Sequence, residues 1–99
     1  MAKPVLLTLS ARAELETILI YLLENWGISI TTNFMELYDA KIAIISTYPK
    51  RYPVLYPHKE LRKAVLTKYN IILYTEKEDH IEIISVFDTR QYPTKIAII

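Results

Sequence analysis

The order of apolar and polar residues predicts one strand followed by two helices. Residues 4–9 form a short apolar run, typical of a strand. Ser10 then stands where a helix N-cap is expected. Beyond it, apolar residues recur at intervals of three and four, which predicts two amphipathic helices. The predicted stripes consist of Leu15, Ile18, Leu19, Leu22 and Trp26 in the first helix, and of Ile30, Phe34, Leu37, Lys41, Ile44 and Ile45 or Tyr48 in the second.

Single residues mark the predicted ends of these helices. Gly27 is the only glycine of the chain and follows the first stripe directly. Because glycine adopts the left-handed conformation without a Cβ penalty, we expect the first helix to end there. Ser29 is the predicted N-cap of the second helix, which should end before Pro49 because the residue preceding a proline avoids the helical region. Helices joined so closely are expected to form an antiparallel hairpin.

Three Tyr-Pro pairs follow the second helix, at 48–49, 52–53 and 56–57. Proline stiffens the backbone and disfavours both helix and central strand. We therefore expect residues 48–57, here called the connector, to be extended or turning.

The apolar period then changes to two, which predicts three strands at 61–67, 69–75 and 81–87. Residues 69–74 are apolar on nearly both faces, so this strand should be central. The polar residues 76–79 should form the turn before the last strand. The order β-α-α-β-β-β predicts an α+β fold in which the helical hairpin packs on a mostly antiparallel sheet.

Length and composition predict one small domain spanning residues 1–99. The chain is 52% apolar, and a globule of this size hides only roughly 60–65% of its unfolded surface, so some apolar surface is available for an interface. No stretch of about 20 apolar residues could span a bilayer, and the start of the chain does not resemble a signal peptide. We therefore expect a cytoplasmic protein without membrane contact.

Residue usage also excludes several kinds of chemistry. The absence of cysteine excludes thiolate metal sites and cysteine nucleophiles. The two histidines, His58 and His80, are far apart in sequence, and this spacing is not that of a zinc site. A single glycine excludes glycine-rich phosphate loops. We therefore expect neither a metal nor a cofactor.

Charge is unevenly distributed along the chain. The formal charge is −2 over residues 1–49, +5 over residues 50–70 and −2 over residues 71–99. The basic segment has two interpretations that the charge alone does not separate. It is either an anion or nucleic-acid footprint, or a solvated strand edge whose charges prevent aggregation.

Six segments carry a further signal, at residues 9–14, 24–27, 47–49, 61–63, 68–74 and 87–96. In their order and spacing, which cover nearly the whole chain, these segments resemble the RelE/ParE superfamily of bacterial type II toxins.

This resemblance implies a small toxin that a cognate antitoxin neutralises, in a toxin–antitoxin hetero-oligomer. RelE-like members cleave mRNA on the ribosome without a metal, whereas ParE-like members inhibit DNA gyrase. Because both use one fold, the fold does not decide between them. We expect a RelE-like endonuclease, with a gyrase inhibitor or an inactive, partner-binding toxin fold as alternatives.

The resemblance also implies candidate catalytic residues. Arg62 matches the family's strand arginine and Arg90 the arginine after the last strand; either could hold a phosphate, since a guanidinium donates to two oxygens and stays charged. The alternatives are an ordinary strand charge for Arg62 and a salt bridge to Asp88 for Arg90. Tyr92 could contact a nucleobase, or simply pack against the turn before Pro93.

Further residues could support RNA or partner binding. Lys59, Lys63 and Lys68 are candidate RNA phosphate contacts. The apolar tail at 94–99 either packs on the toxin itself or docks a partner.

Overall fold

The computed structural model describes residues 2–89, apart from the side chain of residue 59. It contains a five-stranded sheet with a two-helix hairpin against it, in the predicted α+β arrangement. The elements in chain order are β1 (Val5–Leu7), α1 (Leu9–Trp26), α2 (Ile28–Thr47), β2 (Val54–Leu55), β3 (His58–Thr67), β4 (Asn70–Glu76) and β5 (Ile81–Asp88).

The sheet has the order β1-β5-β4-β3-β2, so β4 is the central strand as predicted. Strand β1 pairs with β5 in parallel, whereas the other three pairings are antiparallel. Five of the seven residues of β4 are buried, because helices cover one face of the sheet and β4 is flanked on both sides.

Helix α1 begins at Leu9, so it already includes Ser10, the predicted N-cap. Thr8 has extended backbone, and its hydroxyl accepts a hydrogen bond from the Ala11 amide at 3.1 Å. Thr8 is therefore the N-cap, and Ser10 lies inside the first turn. The prediction failed because Thr8 and Ser10 are both good caps, and only the position of β1 decides which one the helix uses.

Gly27 alone connects the two helices. Its φ of +88° confirms the predicted positive φ, and its amide donates to the carbonyls of Leu22 and Leu23 at the end of α1. Because α2 begins at Ile28, Gly27 is also the residue before α2, and no side chain caps that helix. The prediction that Ser29 caps α2 is therefore wrong.

The core lies between the hairpin and one face of the sheet. The α1 stripe packs there as predicted through Ile18 and its neighbours, but Trp26 is 64% exposed. In α2 the buried residues are Phe34, Tyr38 and Ile45. The prediction that Ile30 and Leu37 face the core is wrong, because α2 is apolar on more than one face and the sheet contacts only one.

An irregularity in the sheet is held by a carboxylate from α1. Opposite the step from Leu73 to Tyr74, β5 carries one extra residue. The Glu14 carboxylate accepts hydrogen bonds there from the Ser85 hydroxyl at 2.8 Å and from the Val86 amide at 3.2 Å. Both donors are buried, so this carboxylate compensates for the interrupted ladder.

The connector turns, as predicted, and also contributes the short strand β2, which the sequence did not indicate. Within residues 2–89, no helix is both long enough and apolar enough to cross a membrane.

Candidate functional site

Arg62 lies on β3, paired with Val54 of β2 on one side and Tyr74 of β4 on the other. Its Nη1 donates to the Tyr52 carbonyl at 2.7 Å and to the Lys50 carbonyl at 3.4 Å. Both acceptors belong to the connector. Within the described residues, the Arg62 guanidinium forms hydrogen bonds through Nη1 alone.

A buried tyrosine holds the same segment. The Tyr74 hydroxyl donates to the Pro49 carbonyl at 2.7 Å, and burial raises the pKa of Tyr74 to about 12, with the Arg62 charge acting in the opposite direction. The Lys41 ammonium lies 5.1 Å from the centre of the Tyr52 ring, within range of a cation–π contact. Side chains from β3, β4 and α2 thus fix the connector against the sheet.

An ion pair lies beside this cluster. The Lys3 ammonium is 2.9 Å from the Glu76 carboxylate and also donates to the Lys77 carbonyl at 2.7 Å. The hydrogen bond from Lys3 lowers the pKa of Glu76, and the charges of Lys50 and Arg62 contribute in the same direction. Glu76 therefore remains ionised at neutral pH within a mainly positive environment.

The structure does not gather the predicted lysines around Arg62. Lys63 is half-buried and follows Arg62 on β3, so the two side chains leave opposite faces of the sheet. Lys68 is exposed in the turn after β3, with its ammonium 5.5 Å from the Tyr69 ring. Five steps of extended strand separate Arg62 from Thr67, the last residue of β3, so Lys68 lies roughly 15 Å or more from Arg62.

Four predicted sites are outside this description. Lys59 belongs to β3 by its backbone, but its side chain is not described. Arg90, Tyr92 and the tail at 94–99 lie beyond the described residues.

The turn between β4 and β5 carries a titrating cluster that the sequence reasoning missed. The two nitrogens of the His80 ring lie 2.7 Å from the Asp79 carboxylate and 3.3 Å from that of Glu82. Both contacts raise the pKa of His80, with Asp79 the larger cause. The short spacing of these residues could have indicated the cluster. In the described part of the chain, no three or more histidine, aspartate or glutamate side chains, these three included, are arranged so that they could hold a metal ion.

A second surface feature is an apolar groove of about 320 Å³, here called the hairpin groove, between the helices and the turn after β3. Phe34 is buried and Leu22 is partly buried, whereas Trp26 and Leu37 are more than half exposed and Tyr69 is 39% exposed. The groove exists because Trp26, Ile30 and Leu37, which the sequence assigned to the core, lie outside the core and line the groove instead.

Known proteins are similar to this chain in structure but not detectably in sequence. Neither a protein-family model nor a curated protein sequence matches the chain. Among solved structures, a chain of the chromosomal ParDE TA (toxin–antitoxin) system from P. aeruginosa is similar, with a TM-score of 0.73 at 12% identity over 88% of this chain and 96% of that one.

Two further solved structures are similar over almost the same range. The YoeB dimer from Staphylococcus aureus gives a TM-score of 0.64 at 12% identity, over 88% of this chain and 97% of that one. The conserved hypothetical protein HP0894 from Helicobacter pylori gives 0.58 at 13% identity, over 89% and 96%. Such identities establish the fold alone, and the chain has the RelE/ParE-like fold that its sequence segments predicted.

Proposed function

We propose that this chain is the toxin of a type II toxin–antitoxin system and that a cognate antitoxin neutralises it. The observation that carries the proposal is the match in fold, over most of both chains, to a chain of the ParDE TA system. Induced expression in a bacterial host should arrest growth, and co-expression of the neighbouring antitoxin gene should restore it. Normal growth under verified expression would indicate that the chain has a toxin fold without toxic activity.

The hairpin groove is the surface we assign to the antitoxin. An amphipathic helix could bury its apolar face against Trp26 and Leu37, while acidic residues of an initially disordered antitoxin meet the basic segment 50–70. Trp26→Ser and Leu37→Ser should weaken antitoxin binding. Ile28→Ser is the matched control, because Ile28 is 75% exposed but does not line the groove. Equal binding by all three variants would exclude this assignment.

For the activity, we propose RelE-like cleavage of ribosome-bound mRNA. In that reaction the 2′-oxygen gives up its proton and bonds to the adjacent phosphorus, while the bond from that phosphorus to the 5′-oxygen of the next nucleotide breaks and the 5′-oxygen leaves with a proton. Negative charge develops on the non-bridging phosphate oxygens as these bonds exchange. The connector carbonyls orient the Arg62 guanidinium through Nη1, so the Nε–Nη2 edge could donate to two phosphate oxygens. In this proposal Arg90 supplies a second phosphate contact, Tyr92 contacts the base, and Lys59, Lys63 and Lys68 bind the flanking RNA.

A time course of induced expression tests this activity by following protein synthesis, mRNA ends and DNA breaks together. We expect translation to stop and cut mRNA to accumulate. Arg62→Ala combined with Arg90→Ala should abolish both effects, whereas Arg12→Ala, on the exposed face of α1, should not. A fully toxic double variant would refute the assignment of both arginines.

Because Arg62 also holds the connector, a conservative variant is needed to separate chemistry from folding. Arg62→Lys keeps the charge and can still donate to the Tyr52 carbonyl, but it cannot present two parallel donors. We expect it to lose mRNA cleavage while its thermal unfolding stays near that of the wild type. Retained cleavage would indicate that a single positive charge is sufficient.

The alternative function is ParE-like inhibition of DNA gyrase without active-site chemistry. The higher TM-score to the ParDE chain than to YoeB, at equal sequence identity, favours it. It predicts DNA breaks with intact mRNA in the same time course, and toxicity that survives loss of Arg62 and Arg90 but depends on exposed apolar residues of the helices.

A further inference from the structure

The sheet has a second side, which points away from both helices. On β4, Ile72 and Tyr74 pack in the core together with the helices. Because side chains alternate along a strand, the side chains next to them on β4 point to the other side of the sheet. This surface, here called the second face, includes Ile71, Leu73 and Thr75 of β4, Phe87 of β5, Val65 of β3 and Leu6 of β1.

The side chains in the middle of the second face are almost fully buried. Leu73 is 3% exposed, Phe87 is 2% exposed and Thr75 is 8% exposed. Leu73 and Phe87 nevertheless stand apart from the core cluster that contains the other buried apolar residues. Flanking strands shield the edges of a strand but leave the side chains of an open sheet face in water. Something must therefore lie over these three residues.

Residues 2–89 supply no element for this position. Both helices pack on the core side, and every other element in this range is a strand of the same sheet. The cover is also narrow, because Val65 on β3 is 54% exposed and Leu6 on β1 is 55% exposed. A second sheet or a globular partner would bury these flanking residues as well. The burial pattern therefore indicates one thin segment over β4 and β5.

The C-terminal segment at residues 94–99 has the position, composition and length that this cover requires. Strand β5 ends at Asp88, and the five residues 89–93 are enough for a chain to reverse its direction. Three residues of the segment are isoleucine and one is alanine, and Lys95 is its only charged residue. Six extended residues are about 20 Å long, which matches the length of β5 over residues 82–87.

We propose that the chain's own C-terminal segment, residues 94–99, docks on the second face and covers Leu73 and Phe87. Apolar contact drives this docking, and the segment closes a surface that would otherwise favour association with other chains. The proposal does not depend on toxic activity. It also concerns a surface separate from the candidate site, because Arg62 pairs with Tyr74 and therefore lies on the core side of the sheet.

Thiol labelling tests the cover directly, because the chain contains no cysteine. Thr75→Cys places a thiol of similar size under the proposed cover, and Val65→Cys places one on the exposed margin as the matched control. In the otherwise unchanged chain, a maleimide should react slowly with Thr75→Cys and rapidly with Val65→Cys.

Substitutions in the segment should remove this protection. Ile96→Ser and Ile98→Ser change side chains that share one side of an extended segment. Together they should accelerate labelling of Thr75→Cys at least roughly tenfold, because burial of even one isoleucine side chain is worth that factor in an equilibrium. Labelling of Val65→Cys should not change. Labelling of Thr75→Cys that remains slow would overturn the proposal.

Two controls distinguish uncovering of the face from unfolding and from association. Val86→Cys, on the core side of β5, should remain unreactive in every variant. If the double substitution also exposes this thiol, the milder Ile98→Ala must accelerate labelling of Thr75→Cys alone, and failure to do so would overturn the proposal. The slow labelling of Thr75→Cys should be independent of protein concentration. Protection that is lost on dilution would assign the cover to a second copy and overturn the proposal as well.

Discussion

The hydrogen bond from Tyr74 to the connector allows a quantitative test of how the site is held. Tyr74→Phe removes one oxygen atom from a fully buried ring and leaves the packing volume almost unchanged. It deletes the 2.7 Å bond to the Pro49 carbonyl. Because the pKa of Tyr74 is about 12, the hydroxyl is protonated and donates at any ordinary assay pH.

The expected cost follows from the environment of the acceptor. Leaving a buried acceptor unsatisfied costs about 1–3 kcal/mol. Pro49 is half-buried, so water can compensate partly, and we expect about 1–1.5 kcal/mol. For a domain of this size, that loss lowers the Tm by roughly 4–12 °C.

Urea and thermal unfolding of the variant measure this loss. Tyr21→Phe is the matched control, because Tyr21 is exposed and should lose less than about 0.5 kcal/mol. If Tyr74→Phe is as stable as Tyr21→Phe, the hydroxyl does not hold the connector, and the argument that side chains of the sheet fix this segment is wrong.

Three further predictions concern the supports of the fold. Glu14→Ala should lower the free energy of unfolding in urea by about 2–3 kcal/mol, because two buried donors on β5 lose their charged acceptor. Glu16→Ala, at an exposed position of the same helix, should be nearly neutral, and equal effects of the two variants would refute the role of Glu14. Gly27→Ala should cost about 1–3 kcal/mol through backbone strain alone, since no atom lies within 4 Å of the added Cβ, and unchanged stability would contradict the positive φ. Protonated His80 should stabilise the fold; this contribution is complete at pH values below the ordinary histidine pKa and is lost as the pH rises through the raised pKa of His80 in the folded protein. An NMR titration should show a lower His80 pKa in Asp79→Asn than in the wild type, and an unchanged pKa would exclude the contact.

The sequence alone determined the order of the elements, except for the short strand β2, and the central position of β4. It also determined that the two helices are connected at Gly27. These features depend on residues close together in the chain, because periodicity, proline and glycine act on the local backbone. A strand that is apolar on both faces has few stable positions other than the middle of a covered sheet.

Local patterns did not determine which apolar face of α2 enters the core. The helix is apolar around much of its circumference, so the sequence allowed several rotations of it. The sheet selects Phe34 and Tyr38 and leaves Leu37 outside. The hairpin groove is a consequence of that selection.

The surroundings of the candidate site were decided by tertiary structure for a related reason. Arg62 was identified as a candidate from a resemblance, but the connector carbonyls that orient it depend on how β2 and β3 pair. Glu14 reaches β5 across more than 70 residues of sequence. Partners so far apart leave no local pattern, because only the packing of helix on sheet brings them within hydrogen-bonding distance.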